Sequence, residues 1–183
     1  EITRDIAIRF NHRFGDTFKL PKAVTPKAGA RVMDLQDPTS KMSKSLPEQG
    51  RIDLLEPVPV LVKRIKRAVT DAETEIRVDP IAKPGVSNLL TILAAVTSRT
   101  IEQVAGQYSG QGYGTLKVDV ADAVASFVEP FQQRMGELMA DPAELDRQLL
   151  LGAVRAREVA AGTIGEVYNR VGFLPGLPVP AGI

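Results

Sequence analysis

Apolar positions in this 183-residue chain recur mostly at helical spacing. Near the start, Ile6, Phe10 and Phe14 lie four apart; Thr3 is a candidate cap and Gly15 a stop signal. Pro21 and Pro26 keep the next stretch extended. Residues 30–35 then alternate as a short strand, with Ala30, Val32 and Asp34 on one face. From 36 to 50 nothing is periodic, and the segment reads as a polar loop. Pro57 opens a helix whose stripe is Val58, Leu61, Val62, Ile65, Ala68 and Val69. A turn-rich connector with a short strand candidate at 75–79 leads to a helix opened by Pro84 and Gly85. A shorter helix over 100–108 and a loop over 109–114 follow.

Two long stripes finish the chain. Ala121, Val124, Val128, Phe131, Met135 and Leu138 make one, with Pro130 as a kink site. Leu145, Leu149, Ala153, Ala156, Ala160, Ile164, Val167 and Val171 make the other, with Asp141 as cap of its helix. Paired stripes of this kind predict an antiparallel helical bundle. The Pro/Gly-rich tail from 172 to 183 is expected to fray. No internal repeat is visible.

Composition narrows the chemistry. Hydrophobic residues make up 44% and charged residues 25%, and mean hydropathy is near zero, as in a globular domain. No apolar run approaches the roughly 20 residues of a membrane helix. Without Cys, and with His12 as the one histidine, thiolate clusters, cysteine nucleophiles and a poly-His metal site are excluded within this chain. No metal-ligand set is assigned. Aromatics at 5%, with no Trp, argue against base-stacking platforms. The chain starts at Glu1 without a Met or signal-peptide pattern, and reads as part of a longer protein. The net charge of +1 hides a division. Residues 1–70 carry 14 Lys and Arg against 8 Asp and Glu, a net +6, and the rest carry −5. A basic first part suits an anionic ligand.

The segment with the sharpest chemical content is Lys41-Met42-Ser43-Lys44-Ser45. Two ammonium groups three residues apart, among hydroxyl side chains on a loop, can close over a polyphosphate. By composition alone, a Lys/Ser loop is more often merely solvated. Other candidates have plain readings too. The 110–114 glycines suit a helix–helix turn better than a nucleotide loop, because no strand precedes them. The basic face Lys63, Arg64, Lys66 and Arg67 fits nucleic-acid phosphates, and simple solvation at least as well. His12 is an exposed helix residue. The pairs Asp119/Asp122 and Glu144/Asp146 are helix-start and surface charges.

The exact pentapeptide is the second signature of class I aminoacyl-tRNA synthetases, and its surroundings resemble the bacterial tryptophanyl-tRNA synthetases. The supporting blocks are residues 1–7 (Glu-Ile-Thr-Arg-Asp-Ile-Ala) with Arg9-Phe10-Asn11, and 29–33 (Gly-Ala-Arg-Val-Met) with Asp37-Pro38-Thr39. They continue in 65–71 (Ile-Lys-Arg-Ala-Val-Thr-Asp), 83–90 (Lys-Pro-Gly-Val-Ser-Asn-Leu-Leu) and Gly112-Tyr113-Gly114 with Lys117.

The resemblance implies activation of tryptophan by Mg2+·ATP and transfer of the aminoacyl group to tRNA(Trp). It implies that Lys41 and Lys44 stabilise the leaving pyrophosphate, that the backbone around Val32 and Met42 lies against adenine, and that Ser43 and Ser45 hold phosphates. It also implies a cytoplasmic homodimer. The expected fold is the α/β end of a doubly wound nucleotide-binding domain over 1–50, followed by a mostly α-helical, anticodon-recognising domain over 51–172. No tRNA-contacting residue is assigned. Lys83 and Lys117 match the pattern and suit structure or RNA contact equally.

Two departures stand out. The first class I signature, of the His-Ile-Gly-His type, appears nowhere in the chain, and about 150 residues carrying it and the tryptophan pocket are expected upstream. The segment alone is therefore expected to be inactive. Leu46 stands where the family more often has Asp, which puts the loop's outgoing hydrogen bonds in question. The alternatives are a non-catalytic helical RNA-binding or adaptor module with a vestigial loop, or a tyrosine-activating relative.

Overall fold

The computed structural model describes residues 1–26 and 29–174. The tail expected to fray lies, beyond Leu174, outside the described residues. Among the described residues the regular elements are helices: α1 (Ile2–Phe14), α2 (Val58–Lys66), α3 (Pro84–Val96), α4 (Ile101–Ala105), α5 (Tyr113–Ala140) and α6 (Pro142–Val171), with 3-10 turns at Glu48–Gly50 and Gly106–Tyr108. The chain divides into two compact units, one of residues 1–24 with 141–183 and one of residues 25–140.

The larger unit is built around α3. Its sequence is apolar on nearly all sides, so the helix is central rather than amphipathic: Val86, Leu89, Leu90, Ile92 and Leu93 are all buried. Pro84 in the first turn costs no internal hydrogen bond there. Against α3 packs α5, through Leu116, Val120, Ala121, Val124 and Val128 at spacings of three and four. Leu61 and Ile65 of α2 seal the same core. Each fully buried aliphatic side chain contributes about 1.5–3 kcal/mol, so a truncation such as Leu89→Ala breaks this unit at its centre. Thr100 and Gln103 form a reciprocal capping box that starts α4.

In the smaller unit, Asn11 organises the turn after α1. Its amide donates to the Phe18 carbonyl at 2.8 Å, while its Oδ1 accepts from the backbone N–H groups of Thr17 and Phe18. Phe10 packs on the rings of Phe14 and Phe18, with centroids 4.8 and 4.9 Å away. Asp141 caps α6 by accepting from the Glu144 N–H. Gly172, left-handed at φ 85°, ends it, with the Phe173 N–H reaching back to the Tyr168 carbonyl. Arg170 near that end donates to Glu166 and to the Phe14 carbonyl, tying α6 to α1.

Several expectations are corrected. The 30–35 strand is reduced to a single antiparallel bridge between Met33 and Lys41. Asp34 and Asp37 draw the chain into turns on either side, leaving too few residues for a ladder. Among the described residues no strand forms at 75–79 either, so the α/β end of a nucleotide-binding domain is not seen. The Arg77 guanidinium instead bonds Glu75 and Asp79 along the extended segment. Thr3 lies inside α1, whose N-cap position is Glu1, and Ala7 is its one buried residue. The two long helices belong to different compact units. Of the α5 stripe, Ala121, Val124 and Val128 are buried against α2 and α3 while Phe131 is exposed, and α6 has no buried residue. Helix α5 runs on through Pro130.

Candidate active-site loop

The pentapeptide is carried on a miniature hairpin. The Asp34 N–H donates to the Ser40 carbonyl at 2.9 Å and the Met42 N–H to the Val32 carbonyl at 3.0 Å, so Met33 and Lys41 face each other between the two bonds. Asp37 closes the turn, its carboxylate accepting from the Thr39 and Ser40 hydroxyls at 2.6 Å each and from the Thr39 N–H. Those bonds favour the ionised form and hold the Asp37 carboxyl below its ordinary value.

Beneath the turn lies Asp34, only 4% exposed, whose Oδ1 accepts from the Gln36 and Asp37 N–H groups. It presses on Gly50, where an added Cβ would overlap the carboxylate. Leu35 is tied on both sides: its N–H donates to the Gly50 carbonyl and its carbonyl accepts from the Val69 N–H, both at 2.7 Å. The outer edge of the hairpin is held by Asn88 of α3, whose side chain bonds both the N–H and the carbonyl of Met33.

Val32 and Met42 are partly buried and turn their side chains into an apolar pocket of about 200 Å³, lined also by Ile52, Ile92 and Val124. What they leave for a ligand is main chain, although the Val32 carbonyl and Met42 N–H are already paired with each other. Beyond Met42 the loop is lightly held. The Ser43 and Ser45 hydroxyls lie 2.9 Å apart, and the Ser45 N–H reaches the Ser43 Oγ at 3.3 Å. Lys41 and Lys44 are exposed, and neither makes an ion pair with a carboxylate among the described residues. Two ammonium groups thus stand free for an anion, beside two hydroxyls that bond each other.

The outgoing hydrogen bonds questioned at Leu46 are supplied from elsewhere. The Leu46 N–H donates to the Ser43 carbonyl, and Arg51 Nη1 donates to the carbonyls of Lys44 and Leu46 at 3.2 and 3.5 Å. Arg51 is steadied by Asp53 at 2.6 Å. Its own carbonyl accepts from Arg64, which is 13% exposed and forms a bidentate pair with Glu56. Arg64 therefore leaves the proposed basic face of α2, while Lys63, Lys66 and Arg67 remain exposed on it.

Lys83 proves structural. It is 1% exposed and its ammonium meets Glu73 at 2.7 Å, the Tyr113 hydroxyl at 2.8 Å and Asp71 at 3.0 Å. Burial lowers its pKa, but these partners outweigh that and raise it above the ordinary lysine value. Burial likewise raises the Asp71 pKa; the bonds from Tyr113 and Lys83 prevail and bring it down to about 2. Lys117, half-buried on α5, has its pKa lowered by desolvation. The 110–112 glycines form a turn before α5, beside a cleft of about 500 Å³ lined by Glu75, Tyr108, Ser109 and Gln111. His12 is exposed in the last turn of α1.

Asn88 and Arg51 were missed as anchoring residues, whereas Lys83 was singled out and takes the structural one of its two readings. The one available signal was Asn88, a polar residue set among the apolar positions of its helix.

Comparison with known proteins agrees with this geometry. The family model described as tRNA synthetases class I (W and Y) matches residues 1–129. The tryptophan–tRNA ligase of Mycobacterium leprae is 53% identical over 176 residues, covering 96% of this chain and 51% of that protein. The Bacillus anthracis tryptophan–tRNA ligase is 44% identical, covering 94% and 53%. Among solved structures, tryptophanyl-tRNA synthetase from Mycoplasma pneumoniae matches with a TM-score of 0.84 and 32% identity over 94% of this chain and 52% of that one. The Campylobacter jejuni enzyme, solved with ADP and tryptophan, matches at 0.58 and 29%, over 94% and 53%. The chain spans about half the length of the curated relatives it matches. With a signature loop of free lysines on a hairpin anchored to a buried helix, and matches that run through both, the chain belongs to the class I tRNA synthetases of the W and Y type.

Proposed function

We propose that this chain supplies the phosphate loop and the helical portion of an enzyme that activates tryptophan with ATP and transfers it to tRNA(Trp). The observation that carries this is the loop itself: Lys41 on a hairpin whose backbone is fixed, and Lys44 just beyond it, are exposed and without carboxylate partners among the described residues. In the first step the tryptophan carboxylate oxygen attacks the α-phosphorus of ATP, the bond to the bridging oxygen breaks, and pyrophosphate leaves with the electron pair. The ammonium groups of Lys41 and Lys44 neutralise the charge that accumulates on that leaving group, and the Ser43 and Ser45 hydroxyls donate to phosphate oxygens. The adenine lies along the main chain near Val32 and Met42, whose side chains are committed to the apolar pocket. In the second step the aminoacyl group passes to the tRNA 3′ end and AMP leaves.

Mg2+ does not find a cage here. Among the described residues no group of three His, Asp or Glu side chains could hold a metal ion, and the loop offers ammonium and hydroxyl groups. A magnesium ion would enter on the ATP phosphates. Residues 1–50 are read as the closing part of the catalytic domain and 51–172 as the anticodon-recognising part, in a cytoplasmic homodimer. Among the described residues no helix is long and apolar enough to cross a membrane.

The matching family model spans both tryptophan and tyrosine enzymes, while the curated relatives cited above are tryptophan–tRNA ligases, which favours tryptophan. Amino-acid-dependent ATP–pyrophosphate exchange by the intact protein tests the reading. Exchange with tryptophan and not tyrosine, followed by charging of tRNA(Trp), is expected; tRNA binding without exchange would leave only an RNA-binding module.

A further inference from the structure

We infer that Asn88 is a positioning residue of the phosphate loop, acting through Met33 to set the place of Lys41. The inference rests on the activation reading above and adds to it a residue outside the signature.

Asn88 sits on α3 between the buried Ser87 and Leu89 and is itself only 4% exposed. An amide in such a place is costly unless its donor and acceptor are both used. Here both are used on one residue: Oδ1 accepts from the Met33 N–H at 2.9 Å, and Nδ2 donates to the Met33 carbonyl at 2.8 Å. The side chain thus makes the two bonds that a neighbouring strand would otherwise make along that edge. On the opposite edge, the bonds of Val32 and Asp34 run to Met42 and Ser40, so the ribbon is held from both sides at its middle.

Lys41 stands directly across from Met33. A two-stranded ribbon this short is marginal alone, and a slip of one residue would turn Lys41 to the opposite face. Asn88 holds the Met33 side of the ribbon in place for that pairing, because Met33 is the position whose outward N–H and carbonyl it spans. Its anchor is rigid: α3 is the buried centre of the unit. The loop is therefore fixed up to Met42 and lightly held from Ser43 onward, as suits a segment that must reach an anion without losing the position of its first lysine.

The test is a double-mutant cycle in the intact enzyme, read by tryptophan-dependent ATP–pyrophosphate exchange normalised to active sites. Asn88→Ala should lower kcat at least tenfold while the KM for tryptophan stays within twofold. In a Lys41→Ala background the further loss from Asn88→Ala should shrink to less than threefold, because the group being positioned is gone. The near-isosteric Asn88→Asp, which keeps the shape but sets a carboxylate against the Met33 carbonyl, should repeat the pattern if the alanine variant folds poorly. Losses that multiply independently in the double variant would overturn the inference, as would normal kcat in both Asn88 variants. A wild-type rate in Lys41→Ala alone would instead refute the phosphate-loop reading, and the inference with it.

Discussion

The packing of α3 makes a prediction whose sign is not the one helix propensity suggests. Glycine inside a helix is worth about 1 kcal/mol less than alanine, so Gly85→Ala should stabilise the protein if propensity were all. The structure says otherwise. A Cβ on Gly85 would fall well inside contact with the Val69 carbonyl oxygen, 3.1 Å from its carbonyl carbon and 3.2 Å from the Thr70 Cα. These are backbone atoms with no rotamer to change. They also belong to the segment that donates from the Val69 N–H to the Leu35 carbonyl at 2.7 Å. Relieving the overlap must move either α3 or that segment. Overpacking of this kind costs about 1–3 kcal/mol, and weakening the hydrogen bond adds about 1 kcal/mol. After the propensity gain, the net is a loss of about 1–3 kcal/mol.

Gly136 in α5 supplies the contrast, since an added Cβ there meets nothing within 4 Å. Gly136→Ala should gain up to about 1 kcal/mol. Urea unfolding monitored by circular dichroism measures both, and thermal midpoints should separate in opposite directions by about 2–4 °C per kcal/mol. Equal or greater stability of Gly85→Ala would refute the close approach of α3 to residues 69–70.

Other expectations follow from the ion and hydrogen-bond networks. With its folded pKa near 2 against an ordinary 3.8, Asp71 contributes stability that is complete above about pH 4 and is lost as the pH falls toward 2. Lys83→Met removes a cause of that depression and should move the acid unfolding midpoint upward; coincident acid curves would contradict it. The Tyr108 phenol, buried and bonded to Asp119 at 2.8 Å, has its pKa raised to about 12, so ultraviolet titration should find it un-ionised at pH 11, where an ordinary tyrosine has titrated. Its stabilising effect is present below pH 10 and fades as the pH rises toward 12, and Tyr108→Phe should abolish it. Arg51→Ala removes the side chain that bonds the Lys44 and Leu46 carbonyls; it should speed proteolytic cleavage between Ser43 and Pro47 severalfold, as limited proteolysis would show.

The helices were legible in the chain because period and punctuation agreed. Pro57 and Pro84 stand at or next to helix starts, Asp141 caps α6, and the first half of the α5 stripe, to Val128, is the face that becomes buried. The strand at 30–35 was misread because alternation is a local signal, whereas a ladder needs a partner. At Met33 that partner is a side chain 55 positions away in sequence. Thr3 was misread for a related reason: a capping residue type is not a cap once the helix begins before it. The phosphate loop was readable as a motif, and its anchors were not. Arg51 carried no sequence signal, Arg64 read as part of a basic face, and Lys83 suited structure or RNA contact equally, until packing placed each against its own partners.

The central claim is that Lys41 and Lys44 stabilise the leaving pyrophosphate, and steady-state ATP–pyrophosphate exchange by the intact enzyme carrying Lys41→Ala or Lys44→Ala tests it most directly. Removing one preorganised charge from a transition state costs on the order of a hundredfold or more in kcat. The account predicts such a loss in each variant, with tryptophan KM little changed. Wild-type exchange in both would contradict it.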